Sequence, residues 1–335
     1  MTEKELIQRG ARNAVETCLK ITDKDRVLVF TDQDTLEIGR ALRRAAENTG
    51  AEVELKTLEA IGRRPLDAVP QTLWDFLAEY QPTASFYAAG GQKGEIRFRI
   101  PLIETLRETY QIRHGHMIGI TPLLMKTGMQ ADYLQVNQRT EEIYELVKKA
   151  REVVITSPAG TDFTTRLDPD HLNWVVWGGL YHQPGRWGNL PEGEVFTSPV
   201  DVNGVLKASV IGDFFSKKYG LLDTPIELVV EEGFLTSCEH PNQELAAEFW
   251  EYLDGVQNGR RVGEFAIGTN EALDELVGNL LQDEKYPGAH VAFGNPYNNY
   301  TGAVWESPVH VDVVMEEVSI WVDGSQIMEG GRFIV

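Results

Sequence analysis

RVLVFTDQDTLEIGRALRRAAENTGAEVELKTL, residues 26–58, reads as strand, helix and strand in succession. RVLVFT is a continuous, largely apolar run, the pattern of a strand buried on both faces. Asp34 and Glu37 stand at the head of a helix in which Ile38, Leu42 and Ala45 share one stripe, and Gly50 is a natural stop. AEVELKTL then alternates apolar and polar residues, as a less buried strand does. The same rhythm continues outward. PQTLWDFLAEY is a helix with Pro70 near its start, ASFYAA a strand, residues 102–110 a helix, HMIGI a strand, and a long helix runs to about residue 151. Ahead of it all, Thr2 and Glu5 form a T-x-x-E capping box. This alternation predicts an α/β domain over residues 1–150, doubly wound on a mostly parallel sheet.

Beyond that point strands crowd together: EVVITSP, FTTRL, EVFTSP, VLKASVI and IELVVEEGFLTSCE. Two helices are expected, over residues 242–257 and 270–282. The end, VHVDVVMEEVSIWVDGSQIMEGGRFIV, is a meander with a tight hairpin at Asp323-Gly324. Residues 151–335 are therefore expected to form an α+β domain on a curved, largely antiparallel sheet, with the boundary within residues 139–152.

Composition narrows the function. The 335 residues carry 31 basic and 51 acidic side chains, a net charge of −20, with 42% hydrophobic and 24% charged residues. A globular protein follows, and the missing basic footprint argues against nucleic acid and anionic membranes as partners. Two distant cysteines, Cys18 and Cys238, make neither a disulfide framework nor a thiolate zinc site. No apolar run approaches a membrane span, so a cytoplasmic location is the expectation.

Familiar catalytic motifs are missing. Gly90-Gly91-Gln92-Lys93-Gly94 matches neither nucleotide-binding glycine pattern, and neither G-x-S-x-G nor H-E-x-x-H occurs. In PVHVDVVM, strand alternation puts His310 and Asp312 on one face, half of a divalent-metal site. His290 in GAHVAFG, Glu194 in NLPEGEVFTSP and Glu264 in GEFAIGTN are polar residues set in short apolar strands, where burial is costly without a positive partner. His114 and His116 stand where a strand begins: a general base reaching from the first domain, or an exposed pair.

The segments NLPEGEVFTSP, GEFAIGTN, HVAFG and HVDVV followed by VDG resemble those of the M29 family of metallo-aminopeptidases, of the aminopeptidase T, aminopeptidase S and PepS type. The resemblance is strong from about residue 185 onward and continues more weakly through GMQADY and SPAGTDF. It implies a cytoplasmic homodimeric enzyme that removes amino-terminal residues from peptides. Two divalent ions (Zn, Co or Mn) would be held by Glu194, Glu264, His290, His310 and Asp312, with Tyr297 as the catalytic tyrosine and Glu264 also catalytic. Three carboxylates against two dications would leave one positive charge for a bridging hydroxide to neutralise. Asp162 in AGTDF matches a common family acid, and His182 and Trp187 stand close enough in sequence to Glu194 to line a cleft with His114 and His116. The 2,5-dihydroxypyridine dioxygenases, which are similar in sequence to M29 enzymes, imply the alternative: Fe(II) and cleavage of an aromatic ring. A catalytically silent binding protein stabilised by metal is the third reading.

Overall fold

The computed structural model describes residues 1–335 and contains two compact units, Met1–Asn137 with Gly179–Glu192, and Gln138–Gly178 with Gly193–Val335. Gly179–Glu192 thus returns to the first unit, a division that a single boundary within residues 139–152 does not describe.

The first unit is an α/β layer structure, as the alternation predicts. Its sheet runs in the order Glu52–Thr57, Arg26–Thr31, Ala84–Ala88, Arg113–His116, Trp187–Asn189, parallel throughout. The Leu36–Asn48 helix buries Ile38, Leu42 and Ala45, and Thr2 and Glu5 form the capping box ahead of the Glu3–Arg12 helix. The fourth strand is Arg113–His116, not HMIGI. Its sequence RHGH hides it because the buried imidazoles find polar partners and Gly115 allows close packing. A Cβ there would stand 2.9 Å from the Phe86 ring.

Where the first and third strands end, Arg64 binds two buried carboxylates. It donates to Asp32 at 2.7 Å, to both oxygens of Glu95 at 2.7 and 2.6 Å, and to the Gly90 carbonyl at 2.6 Å. Burial opposes ionisation of Asp32 and Glu95, but the guanidinium and hydrogen-bond donors outweigh it, so both carboxyls sit below their ordinary pKa.

The second unit stacks two antiparallel sheets over one hydrophobic core. An eight-stranded sheet begins at Phe234–Glu239 and ends at Arg332–Phe333. A six-stranded sheet has the order Val210–Ile211, His310–Val314, Gly288–Gly294, Val262–Gly268, Glu194–Thr197, Val175–Trp177. Ile155, Phe163 and Leu206 from the first meet Val195, Phe265, Val291, Val311 and Val313 from the second, with Phe249 of the Gln243–Asp254 helix in the same core. The hairpin turn has positive φ at both Asp323 (46°) and Gly324 (82°), as a type I′ turn requires. The helix expected over residues 270–282 does not form; only Leu280–Asp283 is helical. Asp283 accepts from the backbone of Val277 and Asn279 at 2.9 Å each, and Asn270 accepts from Ala272 at 3.3 Å, so side chains compete with the helical ladder.

Arg64→Met leaves two buried carboxylates without their cation, an expected loss of about 3–5 kcal/mol at pH 7. The depressed carboxyls contribute stability above about pH 4 and lose it as pH falls through their folded-state values. The gap between wild type and variant should therefore narrow below about pH 4, as denaturant unfolding curves at several pH values would measure.

Candidate metal centre

Four adjacent strands of the six-stranded sheet have two faces of opposite character. Val195, Phe265, Ile267, Val291, Phe293, Val311 and Val313 point into the core. Period-two alternation turns Glu194, Glu264, His290, His310 and Asp312 to the other face. In register, Ala292 stands opposite both Glu264 and Asp312, Ala266 opposite His290, Gly268 opposite Glu194 and Gly294 opposite His310. Each donor thus has alanine or glycine as a cross-strand neighbour, leaving space above the sheet.

All five side chains sequence reasoning singled out as ligands converge there. His290 Nε2 lies 3.5 Å from Glu194 Oε2, 3.4 Å from Glu264 Oε1 and 3.9 Å from Asp312 Oδ1. His310 Nε2 lies 4.0 Å from Glu264 Oε2 and 3.5 Å from Asp312 Oδ1. Donors of Glu264, His310 and Asp312 fall within 4.8 Å of one another. Ligands about 2.1 Å from a shared ion stand roughly 3–4 Å apart, so the spacing is that of a coordination shell. Glu264 Oε2 and His290 Nε2 are buried without a hydrogen-bond partner, as donors reserved for a cation would be. His310 Nδ1–H donates to the Asn295 carbonyl at 2.8 Å, which fixes the ring and turns Nε2 to the cage. The donor set suits divalent cations, and its five side chains provide for two.

Burial opposes a charged imidazole, but the carboxylates prevail: Glu264 and Glu194 raise His290 to about 9, and Asp312 and Glu264 raise His310 to about 10. Asp312 is held below its ordinary value; burial opposes this and His310 outweighs it. A cation entering the cage would compete with protons for both imidazoles.

Tyr297 lies beside this cluster, its ring 4.4 Å from that of His310. It is 38% exposed and takes a left-handed backbone, φ 50°, with its N–H donating to Asn295 Oδ1 at 2.8 Å. Loss of water around the hydroxyl and the charges of Glu264 and Asp312 raise its pKa above the ordinary value, so it stays protonated at pH 7. Rings continue outward from it: Phe196 at 6.1 Å, Trp177 a further 4.9 Å, and Tyr300 at 5.9 Å from Trp177.

The other candidates stand on other elements. Asp162 is exposed on the eight-stranded sheet. His182 belongs to the first unit, with Nε2 2.8 Å from the Thr17 carbonyl. His114 and His116 are buried in the first unit's sheet rather than exposed at its edge. His114 Nδ1 meets Ser85 Oγ at 2.7 Å and its Nε2 meets His116 Nδ1 at 3.3 Å. Burial lowers His114 to about 3 and His116 well below its ordinary value, so both are neutral at pH 7. Sequence reasoning missed Lys285, wholly buried 2.7 Å from Glu194 and 2.8 Å from Glu284. Its signal was the charged triplet Asp283-Glu284-Lys285 directly before a buried strand.

Ala292→Leu would fill the floor between Glu264 and Asp312. Metal binding should fall at least about tenfold while overpacking costs about 1–3 kcal/mol, leaving a folded chain; equilibrium dialysis and circular dichroism check both. Because the imidazoles must lose protons, metal uptake should release protons and apparent affinity should rise with pH up to about 9–10, measurable by calorimetry in buffers of different ionisation enthalpy.

The chain is similar to known proteins over its whole length in structure and over its latter part in the family match. The solved structure of 2,5-dihydroxypyridine dioxygenase from Pseudomonas putida KT2440 is similar at TM-score 0.72 with 19% identity, covering 100% of this chain and 98% of that one. Wild-type AmpT from Thermus thermophilus is similar at TM-score 0.71 with 20% identity, covering 100% of both. These likenesses bear out the M29-type fold. In sequence, the 2,5-dihydroxypyridine 5,6-dioxygenase of Pseudomonas putida is 25% identical over 198 residues, and the match spans 56% of each chain. The family model described as NicX, 2,5-dihydroxypyridine 5,6-dioxygenase, matches residues 124–335, a span that holds all five donors, Lys285 and Tyr297. The chain is therefore a member of the 2,5-dihydroxypyridine 5,6-dioxygenase family, and the M29 resemblance describes its fold.

Proposed function

We propose that this protein is a metal-dependent dioxygenase that opens a hydroxylated pyridine-type ring with O2. The observation that carries the reading is the buried cluster of two imidazoles among carboxylates, lying wholly within the segment that matches the family model. His290, His310 and Asp312 would form a two-histidine, one-carboxylate set of the kind that holds Fe(II) with positions open. Iron bound there would supply the electronic route by which O2 and the ring react.

The chain's own residues account for binding and orientation. Tyr297, Phe196, Trp177 and Tyr300 offer a run of ring faces and edges leading to His310, suited to a flat substrate. The Tyr297 hydroxyl, kept protonated by its surroundings, would donate a hydrogen bond to a ring oxygen. Asn295 steadies both groups, with its carbonyl on His310 and its side chain on the Tyr297 backbone. Glu264, with an oxygen reserved in the cage, would complete the ion's shell or accept a substrate proton.

Five donors, sufficient for two ions, and the AmpT-like fold favour a second reading: aminopeptidase activity in which Tyr297 donates to the tetrahedral oxyanion. In either reading a cytoplasmic homodimer is carried forward from the resemblance, and gel filtration tests the dimer.

With iron supplied anaerobically and air then admitted, 2,5-dihydroxypyridine should be consumed with equimolar oxygen uptake at an electrode, and amino-acid p-nitroanilides should stay intact. Nitroaniline release without oxygen uptake would reverse the choice. Tyr297→Phe should lower turnover about 10²–10³-fold with metal content unchanged, and His310→Ala should abolish both.

A further inference from the structure

The cage is not symmetric. Glu264, His310 and Asp312 gather at one end. At the other, Glu194 directs Oε2 toward His290 at 3.5 Å while Oε1 takes the Lys285 ammonium at 2.7 Å. The same ammonium lies 2.8 Å from Glu284, and the lysine side chain is 0% exposed. A wholly buried lysine survives only where carboxylates compensate it, and here one of the two belongs to the five-donor set.

Charge decides what this does to metal uptake. With both imidazoles neutral, as metal ligands are, ionised Glu194, Glu264, Glu284 and Asp312 bring four negative charges together, and two dications alone would balance them. With the ammonium present, one dication leaves a net −1 and two leave +1, so the pull on a second ion is weak. We propose that Lys285 is a built-in cation that holds Glu194 and makes the two ion positions unequal. One divalent ion is taken up tightly at the end built by Glu264, His310 and Asp312, with His290 beside it. A second enters only where its concentration suffices to displace the ammonium from Glu194. Lys285 is in this sense a positioning residue, and it biases the cage toward single-ion chemistry. The inference rests on the cluster's being a metal centre.

Metal-free full-length protein is titrated with Mn2+ by calorimetry, with bound metal counted by equilibrium dialysis and elemental analysis. Wild type should bind one ion per chain tightly and a second at least about 100-fold more weakly, the ammonium's repulsion acting at short range in a poorly screened site. Lys285→Met should bind two ions, with the second tightened about 100-fold or more. Glu194→Gln should keep the first ion within about threefold of wild type, a criterion that holds even where the lysine variant fails to fold. Two equally tight ions in wild type, an unchanged second ion in folded Lys285→Met, or loss of the first ion in Glu194→Gln would each overturn the proposal. No tight Mn2+ binding by wild type would instead overturn the metal-centre reading on which it rests.

Discussion

The alternation of side chains across one antiparallel sheet governs this molecule. Val311 and Val313 are core residues, and for that reason His310 and Asp312 face away from the core. The same holds for His290 between Ala289 and Val291, and for Glu264 beside Phe265. A slip of one residue in any strand would drive a charge into the hydrophobic core and an apolar side chain into the cage, so core packing enforces the register of the site. The rigidity a metal centre needs is thus inherited from the burial of the opposite face.

Packing alone would not hold such a face together. Three carboxylates with most of their surface out of water repel one another, and the cost of burying each is several kcal/mol by general estimate. The Lys285 ammonium offsets part of that cost, and the same carboxylates raise the pKa of His290 and His310. The site is an arrangement of carboxylates that favours cations, and its lysine is bound at one end only.

Family and fold point in complementary directions. The dioxygenase and AmpT structures are nearly equally similar to this chain, at TM-scores of 0.72 and 0.71. A backbone that serves more than one chemistry leaves the reaction to the contents of the cage and the walls around it. Here the family match covers the segment that carries the cage, while the five-residue donor set has the size of a two-metal site.

Much of this was legible in the chain. Periodicity gave away the Arg26–Thr31 strand, the Leu36–Asn48 helix and the hairpin at Asp323-Gly324, since each is set by local pattern and turn chemistry. Polar residues embedded in apolar strands drew attention to all five cage residues, and the M29 resemblance implied them as a ligand set. Local pattern could not foresee that His114 and His116 would be buried, that residues 270–282 would be a side-chain-braced loop, or that Trp187–Asn189 would pair into the first sheet. Two of these depend on partners remote in sequence, Ser85 for His114 and the Arg113–His116 strand for Trp187–Asn189, while the loop rests on side-chain acceptors, Asp283 for Val277 and Asn279, that hydrophobic periodicity does not register. The sequence by itself determined which side chains could bind a cation and on which side of a strand they lie, since alternation is a property of the chain. Only the tertiary structure decided that they share one space with Lys285 among them, because electrostatic fields add over distances in space and not along the chain.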